Sequence, residues 1–319
     1  MKGLHILFDG NNTAYRANVV SELSTKQGFR TSAIMGTLNI IHSTVQTLTK
    51  EFKLPTKEVI FVWDKGHSKR RTTLYPEYKA GRKSDPTPEE KQWYQEFYDQ
   101  IEVLHQNLHL LGIKSFMKPY WEGDDILLGI TEELSKNKSE DISVIVSTDE
   151  DFHQLISPNI SLYTPIKKIL YTFENYESLM LIKPEQFLSY KILKGDSSDN
   201  IPGIKGIGEV TAKSLVYKYG NIEGLLNHKM ELMKSKRTAK IFTPEGLEIL
   251  DRNDKLINLK KYVDLSEVEE DIKALLEDEP TMNSKAVREF LTKYQLVSLL
   301  MKYKDWSVLF EEVVNNFYE

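Results

Sequence analysis

Three apolar runs punctuate the first half of the chain: "LHILFD" at 4–9, "EVIFVWD" at 58–64 and "DISVIVSTD" at 141–149. Their Val, Ile and Phe content predicts buried strands. Between them the periodicity is helical, at about 31–51, 87–111 and 124–136. Strands that are apolar on both faces and alternate with helices predict an α/β fold, a mostly parallel sheet flanked by helices. "SFMK" (115–118) reads as a further short strand, and "SLYTPIKKILYTF" (161–173) as a hairpin that ends this region. From about 183 the pattern becomes helical. "KPEQFLSYKILKG" (183–195) carries Pro184 in its first turn and stops at Gly195, and "EVTAKSLVYKYG" (209–220) stops at Gly220. Helices follow at 243–259 and 284–303. The pattern therefore divides the chain into an α/β domain at 1–182 and a helical region at 183–319.

Composition narrows the class. The 319 residues are 40% hydrophobic and 28% charged, enough apolar mass for one large or two modest cores. No apolar run approaches the roughly 18 residues of a membrane span, and "LHILF" is too short for a secretory signal, so no membrane is expected as a partner. Cysteine is absent, so a metal must be held by oxygen or by histidine. The net charge of −5 speaks weakly against nucleic acid, but basic residues concentrate at 65–83 and 229–240.

The acidic residues carry the candidate chemistry. The strands end in Asp9, Asp64 and Asp149, with Asp151 two residues on. In an open parallel sheet ligands gather at these carboxyl ends. "EGDD" adds Glu122, Asp124 and Asp125 at the start of a helix, where the helix dipole alone would also favour acids. "GDSSDNIPGIKGIG" (195–208) adds Asp196 and Asp199. Carboxylates gathered in one crevice repel one another, and a divalent cation resolves the repulsion. An oxygen-only set selects Mg²⁺, with Mn²⁺ as the alternative. The chemistry that fits is phosphoryl transfer with two ions roughly 4 Å apart. In the same stretch Gly203, Gly206 and Gly208 predict a tight turn, and the next helix points amides at a phosphate. Lys205, Lys213 and Thr211 add side chains to that phosphate-binding surface. The intervening "NIP" would set the distance between a phosphate being cut and one being gripped.

Taken in order, "FDGNNTAYRA", "FVWDKG", "RRTTLYPEYKAGRK", "EGDD", "STDEDF" and "KGDSSDNIPGIKGIGEVTAKSL" resemble the flap endonuclease/5′-3′ exonuclease family over residues 4 to about 226. That family includes the 5′-nuclease domain of bacterial DNA polymerase I and the phage replication 5′ nucleases, and the phage type is the nearer in length. The resemblance implies a PIN-like, Rossmann-like sheet with a helical arch at about 66–100 and a helix-hairpin-helix at about 185–219. It implies that Asp9, Asp64, Glu122, Asp124 and Asp125 form a first metal cluster and that Asp149, Asp151, Asp196 and Asp199 form a second. Lys79, Arg82 and Arg16 match basic residues near the scissile phosphate. Tyr78 stands among arch aromatics (Tyr75, Trp93, Tyr94, Phe97, Tyr98) that would stack on bases, although Trp93, Phe97 and Tyr98 also fit simple helix packing. The hairpin carbonyls would bind K⁺.

The implied enzyme is a two-metal 5′ nuclease acting on DNA with 5′ flaps, nicks or RNA–DNA hybrids, with RNase H activity on RNA primers. It would be a cytoplasmic monomer, in the host cytoplasm if phage-encoded, working beside replication proteins such as a single-strand-binding protein. Gly123 departs from the family's usual alanine, which predicts a slightly looser helix start and no lost ligand. No clamp-binding tail is visible at the C-terminus. Three other readings stand beside this one: a PIN-class RNA nuclease, a non-catalytic DNA-binding scaffold, and a haloacid dehalogenase-type phosphatase suggested by "DGNNT" at 9–13.

Overall fold

Apolar side chains alternate across the central strands, and each set finds its own helical layer. The structure, a computed structural model, describes residues 2–66, 68–80, 86–138 and 140–318. The strands are β1 (Leu4–Asp9), β2 (Thr56–Trp63), β3 (Lys114–Met117), β4 (Ile142–Val146), β5 (Ile160–Thr164) and β6 (Ile169–Tyr171). They form a six-stranded sheet in the order β3-β2-β1-β4-β5-β6. β1 to β5 are parallel, and β6 turns back antiparallel on β5 as the hairpin pattern predicts. Ile6, Phe8, Phe61 and Val144 belong to one core, and Leu7, Ile60, Val62 and Ile145 to the other, so the sheet is covered on both faces.

Helices α1 (Gly10–Val20), α2 (Ser32–Phe52), α3 (Lys69–Leu74), α4 (Pro88–Asn107) and α5 (Gly123–Asn137) flank this sheet. α2 and α4 cover the first face, and α5 the second. α1 has the helical spacing of buried positions, but they are Gly10, Thr13, Ala14, Ala17 and Asn18, too small and polar to register as an apolar stripe. Gly10 is required by contact, because a Cβ there would lie 2.6 Å from the Trp63 ring. α4 starts with a capping box in which Thr87 and Glu90 satisfy each other's backbone amides. The arch expected at about 66–100 is therefore not a separate element throughout. Phe97, Ile101 and Leu104 of α4 are buried in the first core, whereas Tyr78 and Lys79 lie against Glu122.

After α6 (Tyr176–Met180), the helices α7 (Phe187–Lys194) and α8 (Glu209–Tyr219) form the expected helix-hairpin-helix and share the second core with α5. The helix Pro244–Ile257 packs on α7. The single helix expected at 284–303 is interrupted at Gln295, where φ is +56°. It becomes Ser284–Lys293 and Val297–Met301, followed by Tyr303–Phe317. These last helices do not stay with the helical region. Phe290, Trp306 and Phe310 bury in the same core as Ile34 and Phe61, so the chain's last helices return to the sheet. Among the described residues no helix is long and apolar enough to cross a membrane.

Candidate active site

The strand order reverses at β1, which pairs with β2 on one side and β4 on the other. A crevice at such a switch point is where open α/β sheets bind ligands. Asp9 ends β1 there, and its carboxylate caps α1 by accepting from the Asn12 amide at 3.2 Å. The other carboxylate oxygen accepts from Ser147 Oγ at 2.7 Å, and Ser147 Oγ accepts from the Asp149 amide at 3.0 Å. Ser147 thus ties the ends of β1 and β4 together. The two asparagines of "DGNN" complete the frame. Asn11 Oδ1 accepts from the Asp64 amide at 3.0 Å, and Asn12 Oδ1 accepts from Thr148 Oγ1 at 3.0 Å and from Arg16 Nε at 3.3 Å. Arg16 also donates to Thr148 Oγ1, so its guanidinium is held at the mouth of the crevice.

The first cluster is compact. Glu122, Asp124 and Asp125 each offer a carboxylate oxygen within 4.8 Å of the others. Asp64 reaches them through the start of α5, accepting from the Gly123 amide at 2.5 Å. A Cβ on Gly123 would lie 3.0 Å from Asp64 Oδ1. Glycine therefore gives the Asp64 carboxylate room rather than loosening the helix start. Burial, and then the Asp124 charge, push the Asp125 carboxyl up to about 7; burial, and then Asp64, do the same to Asp9.

A residue not singled out from the sequence sits in the middle of this cluster. Arg71 of α3 is buried, donates to Glu122 and places Nη2 2.8 Å from both Asp124 Oδ2 and Asp125 Oδ1. Burial opposes its charge, but Asp124 and Asp125 hold its pKa above the ordinary value. In the sequence it stood only in the 65–83 basic run and in "RRTTLYPEYKAGRK", neither of which marks it as a partner of acids. Lys79, with φ of +57°, donates from Nζ to Glu122 Oε1 at 3.0 Å and from its amide to the Asp199 carbonyl at 2.9 Å. Arg82 lies outside the described residues.

The second group has its own cation. Asp149 caps the turn that follows β4 and accepts from the Asp151 amide at 2.9 Å. Lys191 of α7, almost fully buried, lies 3.0 Å from Asp151 Oδ1 and also pairs with Asp196. Burial alone would raise the Asp196 carboxyl, but Lys191 and two hydrogen bonds from Ser198 bring it down to about 2. Asp199 joins the groups through Tyr78, whose hydroxyl donates to Glu122 Oε2 and lies 3.1 Å from Asp199 Oδ2 as well. Tyr78 is therefore corrected from a base-stacking residue to a buried bridge, 6% exposed. Trp93 and Phe97 stack on each other against Tyr15, whereas Tyr94 and Tyr98 are exposed.

The hairpin next to Asp196 is braced before it opens to solvent. Gly195 pairs with Pro202 and Asp196 with Ile201. A Cβ on Gly203 would lie 2.1 Å from the Lys194 carbonyl oxygen, so Gly203 serves close packing on α7 rather than phosphate contact. Gly206, with φ of +92°, and Gly208, with nothing within 4 Å of its Cβ position, remain on the open side. Gly208 caps α8 with no side-chain bond to the first amides. Lys205 is exposed, whereas Lys213 is drawn onto Glu209 at 2.9 Å. Two residues of the 229–240 basic run, Arg237 and Lys240, join this surface without any local signal of their own. Arg237 Cγ and Lys240 Nζ approach the Gly206 Cβ position at 4.0 and 3.8 Å, and Arg237 donates to Thr211 Oγ1 at 3.4 Å.

A resolvase-like sheet with carboxylates at its switch point, joined to a helical hairpin module, defines the class: a nuclease that hydrolyses phosphodiesters. The model of the 5′-3′ exonuclease N-terminal resolvase-like domain matches residues 4–187, and that of its C-terminal SAM fold matches 182–280. The chain belongs to the 5′-3′ exonuclease family. It is 30% identical over 301 residues to a 5′-3′ exonuclease of Aquifex aeolicus, covering 94% of each chain. It is 32% identical over 305 residues to the thermostable DNA polymerase I of Thermus thermophilus, covering 95% of this chain but 33% of that polymerase. Among solved structures, a phage T5 5′-exonuclease with bound zinc superposes with a TM-score of 0.69 at 25% identity, covering 86% of this chain and 98% of that one. The T5 flap endonuclease in a product-like complex with DNA and metal ions superposes with a TM-score of 0.68 at 23% identity, covering 86% and 100%.

Proposed function

We propose that the chain is a Mg²⁺-dependent, structure-specific 5′ nuclease that removes 5′ flaps and short 5′ ends, including RNA primers on DNA. The observation that carries this reading is the convergence of Asp9, Asp64, Glu122, Asp124 and Asp125 on one side of the β1–β4 junction and Asp149, Asp151, Asp196 and Asp199 on the other. The donor set is all oxygen, Glu122, Asp124 and Asp125 bring carboxylate oxygens within 4.8 Å of one another, and each group accommodates a cationic side chain, Arg71 or Lys191, which supports a reading with hard divalent cations. The chemistry that bound Mg²⁺ or Mn²⁺ supplies is Lewis-acid activation of a water and charge neutralisation at the phosphate. The chain's own part is positional. Arg16, fixed by Asn12 and Thr148, and Lys79, fixed by Glu122, hold the scissile phosphate against the carboxylates. The braced segment 195–202 sets a constant span from there to the hairpin, where Gly206, Gly208 and Lys205 hold an uncut duplex phosphate and the carbonyls hold K⁺. The reading extends to monomeric action in the cytoplasm beside replication proteins such as a single-strand-binding protein.

The deciding experiment offers a 5′-labelled flap, a nicked duplex carrying a 5′ RNA segment and a blunt duplex, with Mg²⁺ or with EDTA. Short 5′ products are expected from the first two in Mg²⁺ alone. Cleavage that survives EDTA, or degradation confined to 3′ ends, refutes the proposal.

Arg237 and Lys240 enlarge the duplex grip. The double replacement Arg237→Ala/Lys240→Ala is expected to weaken nicked-duplex binding and to flatten the plot of log affinity against log salt by about 1–2 units, roughly 0.9 for each phosphate no longer neutralised. Fluorescence anisotropy at graded salt measures this. An unaltered slope would remove both residues from the interface.

A further inference from the structure

We infer that Arg71 is the resident counter-cation of the first carboxylate cluster and must leave it before a divalent ion can enter. Metal loading and release of α3 are then a single coupled equilibrium. The inference rests on the divalent-metal reading above.

The guanidinium is spent on the oxygens a metal would need. Nη1 donates to Glu122 and reaches Asp125 Oδ2 at 3.3 Å and Asp124 Oδ1 at 3.4 Å, while Nη2 takes the other oxygen of each aspartate at 2.8 Å. Nε donates to the Leu256 carbonyl at 3.4 Å, so every donor nitrogen of the fork has a partner. A hard divalent ion requires carboxylate oxygens at about 2.0–2.6 Å. It cannot share them with a guanidinium that fills the space between them. The two occupants exclude each other by geometry.

Release is mechanically open to α3 in a way that it is not to the helix carrying Lys191. Lys191 stands on α7, whose Phe187, Tyr190, Ile192 and Leu193 are core residues. α3 is six residues long, and Arg71 is its one buried residue. Its other tie of this kind is Arg70, which donates to the Lys255 carbonyl at 2.5 Å. Arg70 and Arg71 together donate to the Lys255 and Leu256 carbonyls in the last turn of the helix Pro244–Ile257, where the helix's own amides run out. Removing Arg71 from the cluster thus loosens α3 from Asp124, Asp125 and that helix, while Tyr78 and Lys79 keep their bonds to Glu122. By linkage, whatever factor Arg71 costs the ion in affinity, the ion costs Arg71 in occupancy.

The test uses the full chain at pH 8. Mn²⁺ is titrated calorimetrically into the wild type and into Arg71→Met, which keeps an unbranched side chain and removes the charge. Hydrogen exchange of the amides of residues 69–75 is followed in the wild type with EDTA or saturating Mn²⁺. Tighter Mn²⁺ binding by the variant, on the order of tenfold or more for one close ion pair removed, is expected. Faster exchange of the α3 amides with Mn²⁺ is also expected. Equal Mn²⁺ affinity in the two proteins overturns the inference. If Arg71→Met does not fold in EDTA, the wild-type exchange decides alone: unchanged or slower exchange with Mn²⁺ overturns it. A wild type that cuts 5′ flaps but does not release α3 sinks only this inference. Release of α3 by Mn²⁺ without any flap cleavage sinks only the proposed function.

Discussion

Asp9→Asn is expected to lower the turnover of 5′-flap cleavage by about 10³, the rate equivalent of roughly 4 kcal/mol of metal-borne charge stabilisation. Flap affinity should stay near that of the wild type, because Gly206, Lys205 and the α8 start lie on the hairpin. The substitution separates chemistry from folding. Asparagine caps a helix as well as aspartate does, so the bond from the Asn12 amide survives. The same variant should melt at a higher temperature than the wild type in EDTA at pH 8. The Asp9 carboxyl is pushed up to about 7 by burial and by Asp64, well above its ordinary 3.8. Between about pH 4 and pH 7 the folded chain therefore holds a proton that the unfolded chain has released, and stability falls as pH rises through that window. An amide at this position removes that loss, so the melting advantage should be largest at pH 8 and vanish near pH 4. Turnover within tenfold of wild type, or a lower melting temperature at pH 8, would contradict the assignment of Asp9 to the metal site.

Glu58→Ala should cost about 3–5 kcal/mol of unfolding free energy, the range for breaking a buried ion pair by deleting one partner. Glu58 lies near the other end of β2, 2.5 Å from His5 Nδ1, 2.6 Å from Lys114 Nζ and 3.3 Å from Lys138 Nζ. His5 Nε2 faces Asp141 at 3.0 Å, and Lys114 also donates to the Leu276 carbonyl at 2.9 Å. Burial would raise the Glu58 carboxyl, but His5 and then the lysines bring it down to about 2. Its contribution is accordingly present above its ordinary 4.5 and lost as pH falls through about 2. Alanine leaves His5 and Lys114 buried beside no carboxylate at β2. Urea denaturation at pH 7 measures the loss, and a change below about 1 kcal/mol, the size of an exposed pair, would show that the network is not held together as the distances indicate. Cleavage measured well below the melting temperature should be unaffected, since the reacting groups sit at the other ends of the strands.

Much of the candidate site was legible in the residues themselves because its signals are local. A strand that ends in aspartate, an acidic helix start and a glycine turn between two helices are each written within a few neighbouring positions. Asp9, Asp64, Glu122, Asp124, Asp125, Asp149, Asp151, Asp196 and Asp199 could be named, and the parallel sheet that gathers them follows from apolar runs that tolerate water on neither face. The same local logic misread Tyr78, which looks like its aromatic neighbours until burial joins it to Glu122 and Asp199. It misread Gly203, whose missing side chain is needed by the Lys194 carbonyl rather than by a phosphate.

The amino-acid sequence by itself determined the fold class, the carboxylate inventory and the glycine hairpin between two helices, since turn chemistry and strand periodicity depend on neighbours along the chain. The tertiary structure alone decided which cation stands among which acids. Arg71 and Glu122 are 51 positions apart, and a charged residue in a basic run carries no local mark of the carboxylates it will neutralise. It likewise decided that the helices from 284 to 317 return to the sheet, because an amphipathic face specifies that it must be covered but not by what.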